Sequence, residues 1–185
     1  MAAFTIDMSS PLPSSPLPSG FKRRWGGPGE GDHLGDPTTQ WYNRFGMDIG
    51  ASVGTEVRAA FDANITKLHV PSSDKGKEYG AQLFMRSPNG LMGGFYTHIT
   101  DVPTGIAPGP KVIGRGALLG KVHSFAGIPT HLHLALVEII GGVIKPGVTS
   151  NYKGVDNLYQ KFLDTANTTI VFSVTFNQDG SPPTV

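Results

Sequence analysis

The chain has 185 residues, enough for one domain with a sizeable core plus tails. Fifteen Lys and Arg against fourteen Asp and Glu leave a formal charge of +1, without the clustered basic excess of a nucleic-acid binder. Cysteine is absent, which excludes disulfides and thiolate metal sites, so any metal must be held by His, Asp or Glu; the longest apolar runs are far too short to span a bilayer.

The first 20 residues lack the basic start and continuous apolar stretch of a secretory signal. Residues 9–20, SSPLPSSPLPSG, write the PLPS unit twice. Proline blocks helix and sheet ladders alike, so residues 1–20 are expected to be irregular and to add little stability. Phe4 and Ile6 are the side chains there that could add an edge strand. A second loop rich in turn formers, GGPGEGDHLGDPTT, covers 26–39, so 1–40 are read as an arm and loop. From Trp41 short apolar runs alternate with Gly, Pro, Asn or Ser clusters: 56–61, 64–70, 81–86, 94–99, 111–114, 117–122 and 132–140. Strands at this spacing predict a mostly β fold, a twisted antiparallel sheet or open barrel-sandwich, over a domain spanning 41–145. The extension 146–185 is predicted to hold one short helix near 155–165, with Leu158, Phe162 and Tyr159 on one side, a strand over 168–176 and a polar tail.

The chemistry-bearing residues cluster in three elements. His131 and His133 sit two apart in THLHLAL, so on a strand both imidazoles point the same way. His98 lies at a strand end in FYTHI, and Asp48 follows Gly46 and Arg44 at alternate positions in NRFGMDIG. The remaining histidines are His33 in the GEGDHLGDP loop, His123 before His-Leu-His, and His69, most simply a surface residue at a strand turn.

Taken in order, these elements resemble the lysostaphin/LytM family of zinc endopeptidases, metallopeptidase family 23, from about Phe45 to Ile139, half the chain. FGMDIGASVGTEVRAAFDANITKL follows the family's opening His-x-Gly-x-Asp, apolar strand and Gly-Thr-x-Val-x-Ala segment. YTHI matches Tyr-x-His-Leu, PGPKVIGRGALLGKV the Gly-x-x-Val-x-x-Gly-x-x-Leu-Gly segment, and HLHLALVEI the closing His-Leu-His. The resemblance implies the LytM-type duplicated hybrid fold and a setting in the cell envelope or outside the cell. It also implies zinc held by the His and Asp of the first motif and the second His of His-x-His, positions that fall on Arg44, Asp48 and His133. His131 and His98 take the positions that orient or deprotonate the attacking water and stabilise the tetrahedral oxyanion.

Arg44 departs from this pattern, because a guanidinium has no lone pair for a metal. On one face of an extended strand it would pair with Asp48 instead. Ala135, where the family often has Glu, removes an acidic neighbour. Substitute ligands are His33 and His123, with Asp32 or Asp36 as poorer donors. The expectation is therefore a peptidoglycan-directed domain that holds zinc weakly or not at all. It would be weakly active or non-catalytic, recognising wall peptides or a cell-wall partner protein. The alternative is an active zinc metalloendopeptidase that hydrolyses cross-link peptides with a substitute ligand. A weaker likeness to biotinyl and lipoyl carriers is set aside, since Lys121 falls inside a predicted strand and not at a hairpin tip.

Overall fold

The structure is a computed structural model and describes residues 3–14, 25–36, 39–70, 79–124, 127–144, 155–179 and 181–185. The apolar runs between turns form antiparallel strands in an open, mostly β fold, as the pattern of the sequence predicts. Along the chain come β1 (Phe4–Ser9), a single helical turn α1 (Trp41–Arg44), β2 (Gly46–Gly50), β3 (Glu56–Arg58), β4 (Ala63–His69), β5 (Ala81–Arg86) and β6 (Met92–Thr100). They are followed by β7 (Val112–Ile113), β8 (Leu118–Val122), β9 (His131–Ile140), β10 (Val143–Ile144), helix α2 (Asp156–Thr165) and β11 (Val171–Phe176).

Among the described residues nine strands form one branched sheet in the order β10-β9-β6-β5-β4-β7, with β2 on β9 and β8 joining β6 to β3. The long β9 is its spine: His131–Ala135 pair with β2 on one side, and His133–Glu138 pair with β6 on the other. Met47 lies opposite Leu134 and Ile49 opposite Leu132, all four fully buried on the core face. The intervening residues of the same strands, Asp48, His131 and His133, therefore point to the other face. Tyr96 sends a fully buried ring into the core, where its hydroxyl accepts the Ala60 N–H at 3.0 Å. Helix α2 covers the core with Leu158, Tyr159 and Phe162, each fully buried, and it packs against β2.

The N-terminal arm departs from expectation. Residues 4–9 form β1, which pairs antiparallel with β11 along its whole length, from Phe4↔Phe176 to Ser9↔Val171. The cause is a period-two pattern, Phe4, Ile6, Met8, ahead of the first proline. Phe4 stacks on Phe176 with ring centroids 5.2 Å apart, and Met8 and Leu12 are fully buried in the main core. The second PLPS unit lies outside the described residues. Among the described residues, no helix is long and apolar enough to cross a membrane.

Candidate metal centre and catalytic cleft

Asp48 on β2 and His133 on β9 are direct cross-strand partners, and His131 faces Gly50 two pairs further on. Gly46 completes this arrangement. A Cβ there would stand 2.2 Å from His133 Cε1 and 3.0 Å from His33 Nε2, so only glycine leaves room for two imidazoles above the strand. On the other side of β9, Thr97 of β6 lies opposite His133. At the next residue β6 leaves β9 for β8, where Ile99 pairs with Val122. His98 makes that change of partner with φ of 65°, a left-handed conformation that side chains other than glycine rarely adopt. The kink breaks the strand's alternation, so Thr97 and His98 both line the cleft.

The cleft, about 460 Å³, collects His33, Asp48, His98, His131 and His133 with Trp25, Tyr42, Tyr79, Phe95 and Ile128 along its walls. Each of the four imidazoles has one nitrogen on a backbone carbonyl: His33 Nδ1 on Gly27 (3.0 Å), His133 Nε2 on Tyr42 (2.8 Å), His131 Nδ1 on Pro129 (2.8 Å) and His98 Nδ1 on Tyr79 (3.0 Å). A carbonyl can only accept, so those nitrogens carry the protons, and the opposite nitrogen of each neutral ring is a lone pair. For His33 and His133 that lone pair faces Asp48. His133 Nδ1 is 2.9 Å from Oδ1, and His33 Nε2 is 3.3 Å from Oδ2. His131 Nε2 lies 3.5 Å from Oδ1.

Lone pairs pressed against a carboxylate need a cation between them, either protons or a metal ion. The three donors from His33, Asp48 and His133 all lie within 4.8 Å of one another and are buried. A tetrahedral ion with bonds of roughly 2.0–2.1 Å has a ligand–ligand edge of about 3.3 Å; His33 Nε2 stands 3.3 Å from Asp48 Oδ2 and His133 Nδ1 stands 2.9 Å from Oδ1, close to that spacing. The backbone carbonyls behind the two imidazoles fix their tautomers in the manner of metal-ligating histidines. The donor set thus fits zinc, a borderline ion suited to imidazole and carboxylate.

The charges respond to this crowding. Burial opposes ionisation of Asp48, yet with protons in place of a metal the hydrogen bonds from His133 and His33 and the charges of His133 and His131 hold its carboxyl well below the usual carboxylate range. Burial also opposes charge on His33, but the Asp48 hydrogen bond and charge outweigh it and raise the imidazole above its ordinary value. Burial, followed by repulsion from His131 and His133, pushes His98 down to about 3. His131 is lowered as well, again chiefly by burial.

The sequence places Asp48, His98, His131 and His133 together, and all four line the one cleft. Arg44 stands elsewhere. It is the last residue of α1, so its chain is helical and not extended, and the shared-face argument does not reach it. Its guanidinium carbon lies 3.5 Å from where a Gly29 Cβ would be, and the expected ion pair with Asp48 is not formed among the described residues. The Asp48 carboxylate faces His33, His131 and His133 instead. His123 does not join the donor group; its backbone N–H donates to the His98 carbonyl at 2.8 Å. Asp32 reaches the cleft wall but not the donor group. Trp25, with its ring edge-on to His131 at 4.7 Å between centroids, carries no motif signal and emerges only from the fold.

No protein-family model matches the chain. No curated protein matches it either. Solved structures do. The solution structure of lysostaphin is 20% identical over 54% of this chain and 39% of its own, with a TM-score of 0.43. The antimicrobial peptidase lysostaphin from Staphylococcus simulans is 20% identical over 71% of this chain and 47% of its own, with a TM-score of 0.47. The chain thus spans less than half the length of either lysostaphin structure. A mutant catalytic domain of a prophage-encoded M23 protein from Enterococcus faecalis is 20% identical over 73% of this chain and 90% of its own, with a TM-score of 0.44.

Proposed function

We propose that the chain is a zinc metalloendopeptidase acting on peptidoglycan cross-link peptides, with His33, Asp48 and His133 as metal ligands. The observation that carries this reading is the closure of the donor triangle by His33. The expectation of a metal-poor, non-cutting domain rested on a missing third ligand, and His33 supplies one from the loop ahead of the motif. Zinc held there would act as a Lewis acid on the scissile carbonyl and make a nearby water acidic.

The remaining steps belong to side chains of the cleft. His131 and His98 commit Nδ1–H to carbonyls, which leaves Nε2 of each neutral ring as the acceptor. Together they orient the attacking water, and one of the two imidazoles takes its proton as the water oxygen bonds to the peptide carbon. The same proton then passes to the leaving nitrogen as the C–N bond breaks. Trp25, Tyr79 and Ile128, each at least a third exposed, give an extended peptide apolar walls to lie against.

Calorimetric titration of chelator-stripped protein with zinc, run beside an assay of amine release from purified peptidoglycan, tests both halves of the proposal. One tightly bound zinc and amine release that stops with chelator and returns with zinc is the expected result. A protein that takes up no stoichiometric zinc overturns the proposal. Zinc uptake without cleavage of any wall preparation favours a wall-peptide binder.

A further inference from the structure

The loop that supplies His33 needs an anchor, and the most buried one comes from outside the peptidase-like region. Residues 25–33 run beside β2 but pair with it only at the Gly26–Asp48 bridge, where the Asp48 N–H donates to the Gly26 carbonyl at 2.9 Å. The other backbone group of Asp48 turns to helix α2: the Tyr159 hydroxyl donates to the Asp48 carbonyl at 2.6 Å. The Tyr159 hydroxyl oxygen in turn accepts the Trp25 N–H at 3.3 Å. Tyr159 is fully buried, so its hydroxyl makes these bonds from the interior, where losing a hydrogen-bond partner is costly.

One hydroxyl therefore ties together the strand of one donor (Asp48), the start of the segment that carries another (His33), and Trp25, whose ring lies against His131. Gly26 is held close enough that a Cβ on it would stand 2.5 Å from Asp48 Oδ2 and 3.2 Å from His33 Cε1. A shift of the segment by even a fraction of an ångström would change the donor triangle.

We infer that Tyr159 is the positioning residue of the metal centre, holding the His33 segment on β2 so that the C-terminal helix sets the affinity of the site. This inference rests on the assignment of His33, Asp48 and His133 as ligands. Outer partners of metal ligands commonly contribute about 10–100-fold in affinity.

Tyr159→Phe removes the hydroxyl and keeps the ring. The test is a zinc titration of the full chain, with amide exchange measured on the chelator-stripped protein. The expected result is zinc binding weakened about tenfold or more, with faster exchange at the Trp25 and His33 amides and unchanged exchange in β5 and β6. Phe162→Leu, on the same helix and against Phe172, serves as the comparison. It should lower the melting temperature and leave zinc affinity as in wild type. Equal zinc affinity in Tyr159→Phe and wild type overturns the inference, and so does an equal loss in Phe162→Leu. If the wild type itself binds no zinc, the ligand assignment fails, and the positioning role is decided by exchange: faster at Trp25 and His33 it stands, unchanged it falls.

Discussion

Replacing His33 and Arg44 in turn asks which residue serves the site. Zinc binding in small sites held by four protein ligands is worth about 10–16 kcal/mol, so one ligand contributes on the order of 3 kcal/mol, or roughly a hundredfold in Kd. His33→Ala should cost about that much, because it removes the Nε2 that stands 3.3 Å from Asp48 Oδ2 and leaves two protein donors. Arg44→Ala should change zinc affinity by less than about threefold, since the guanidinium lies against the Gly29 turn and no metal donor is removed. Competition with a chromophoric chelator at neutral pH measures both, and circular dichroism confirms that the variants fold. If His33→Ala binds zinc like wild type while Asp48→Ala does not, His33 is not a ligand and the proposed function loses its basis.

Three further outcomes concern the rest of the chain. Thr97 is buried in the cleft, and its hydroxyl meets no hydrogen-bond partner among the described residues; Thr97→Val should leave stability unchanged or raise it by up to about 1–3 kcal/mol, and a loss above about 1 kcal/mol in urea unfolding refutes this. Met8→Ala should cost about 2–5 kcal/mol in thermal unfolding, because Met8 is a fully buried core residue; a negligible cost would return residues 1–14 to the status of a loose arm. Burial, reinforced by Asp179 and partly offset by the Gln178 N–H, raises the Glu138 carboxyl, so the fold favours its neutral form and loses stability as pH climbs from 4.5 through the raised value. Glu138→Gln stays neutral and keeps an acceptor for that N–H, so its melting temperature should gain on wild type between pH 4 and pH 8, and an equal difference at both refutes the assignment.

What was legible in the sequence followed from period and punctuation. The run 81–86 is β5 to the residue, 94–99 lies inside β6, and 132–140 is β9 short of its first histidine. Helix 155–165 buries Leu158, Tyr159 and Phe162 as its spacing requires. Asp48, His131 and His133 could be read because strand alternation commits each to a face before any tertiary contact is known. β1 escaped because the proline tract that follows it dominated the reading of the first 20 residues, although Phe4, Ile6 and Met8 alternate in plain view. Tyr159 carried a packing signal, but nothing in an amphipathic helix says that one hydroxyl will reach a carbonyl 111 positions away.

The proposed third ligand, His33, stood in the sequence only as one of two substitutes, for a different reason, and it bears on how such sites should be sought. Spacing motifs assume that a ligand comes from the same short segment, whereas a metal responds only to donor atoms in space. The requirement that survives here is the cradle: Gly46 opposite Ala135 and Asp48 opposite His133, with no Cβ to obstruct two imidazoles. Either a residue just upstream of Gly46 or a loop laid beside β2 can place an imidazole in that space. In the proposed centre the loop takes that place, held by the Gly26–Asp48 bridge and by the Gly29 N–H on the Arg44 carbonyl at 2.8 Å. Arg44 itself lies along the turn that brings His33 in. The arginine at the motif position and the histidine in the loop are thus two parts of one arrangement. Through its backbone carbonyl, residue 44 holds the segment that carries the proposed ligand. A search for metal centres of this shape should start from the glycine and the cross-strand Asp–His pair, and only then ask which segment passes above them.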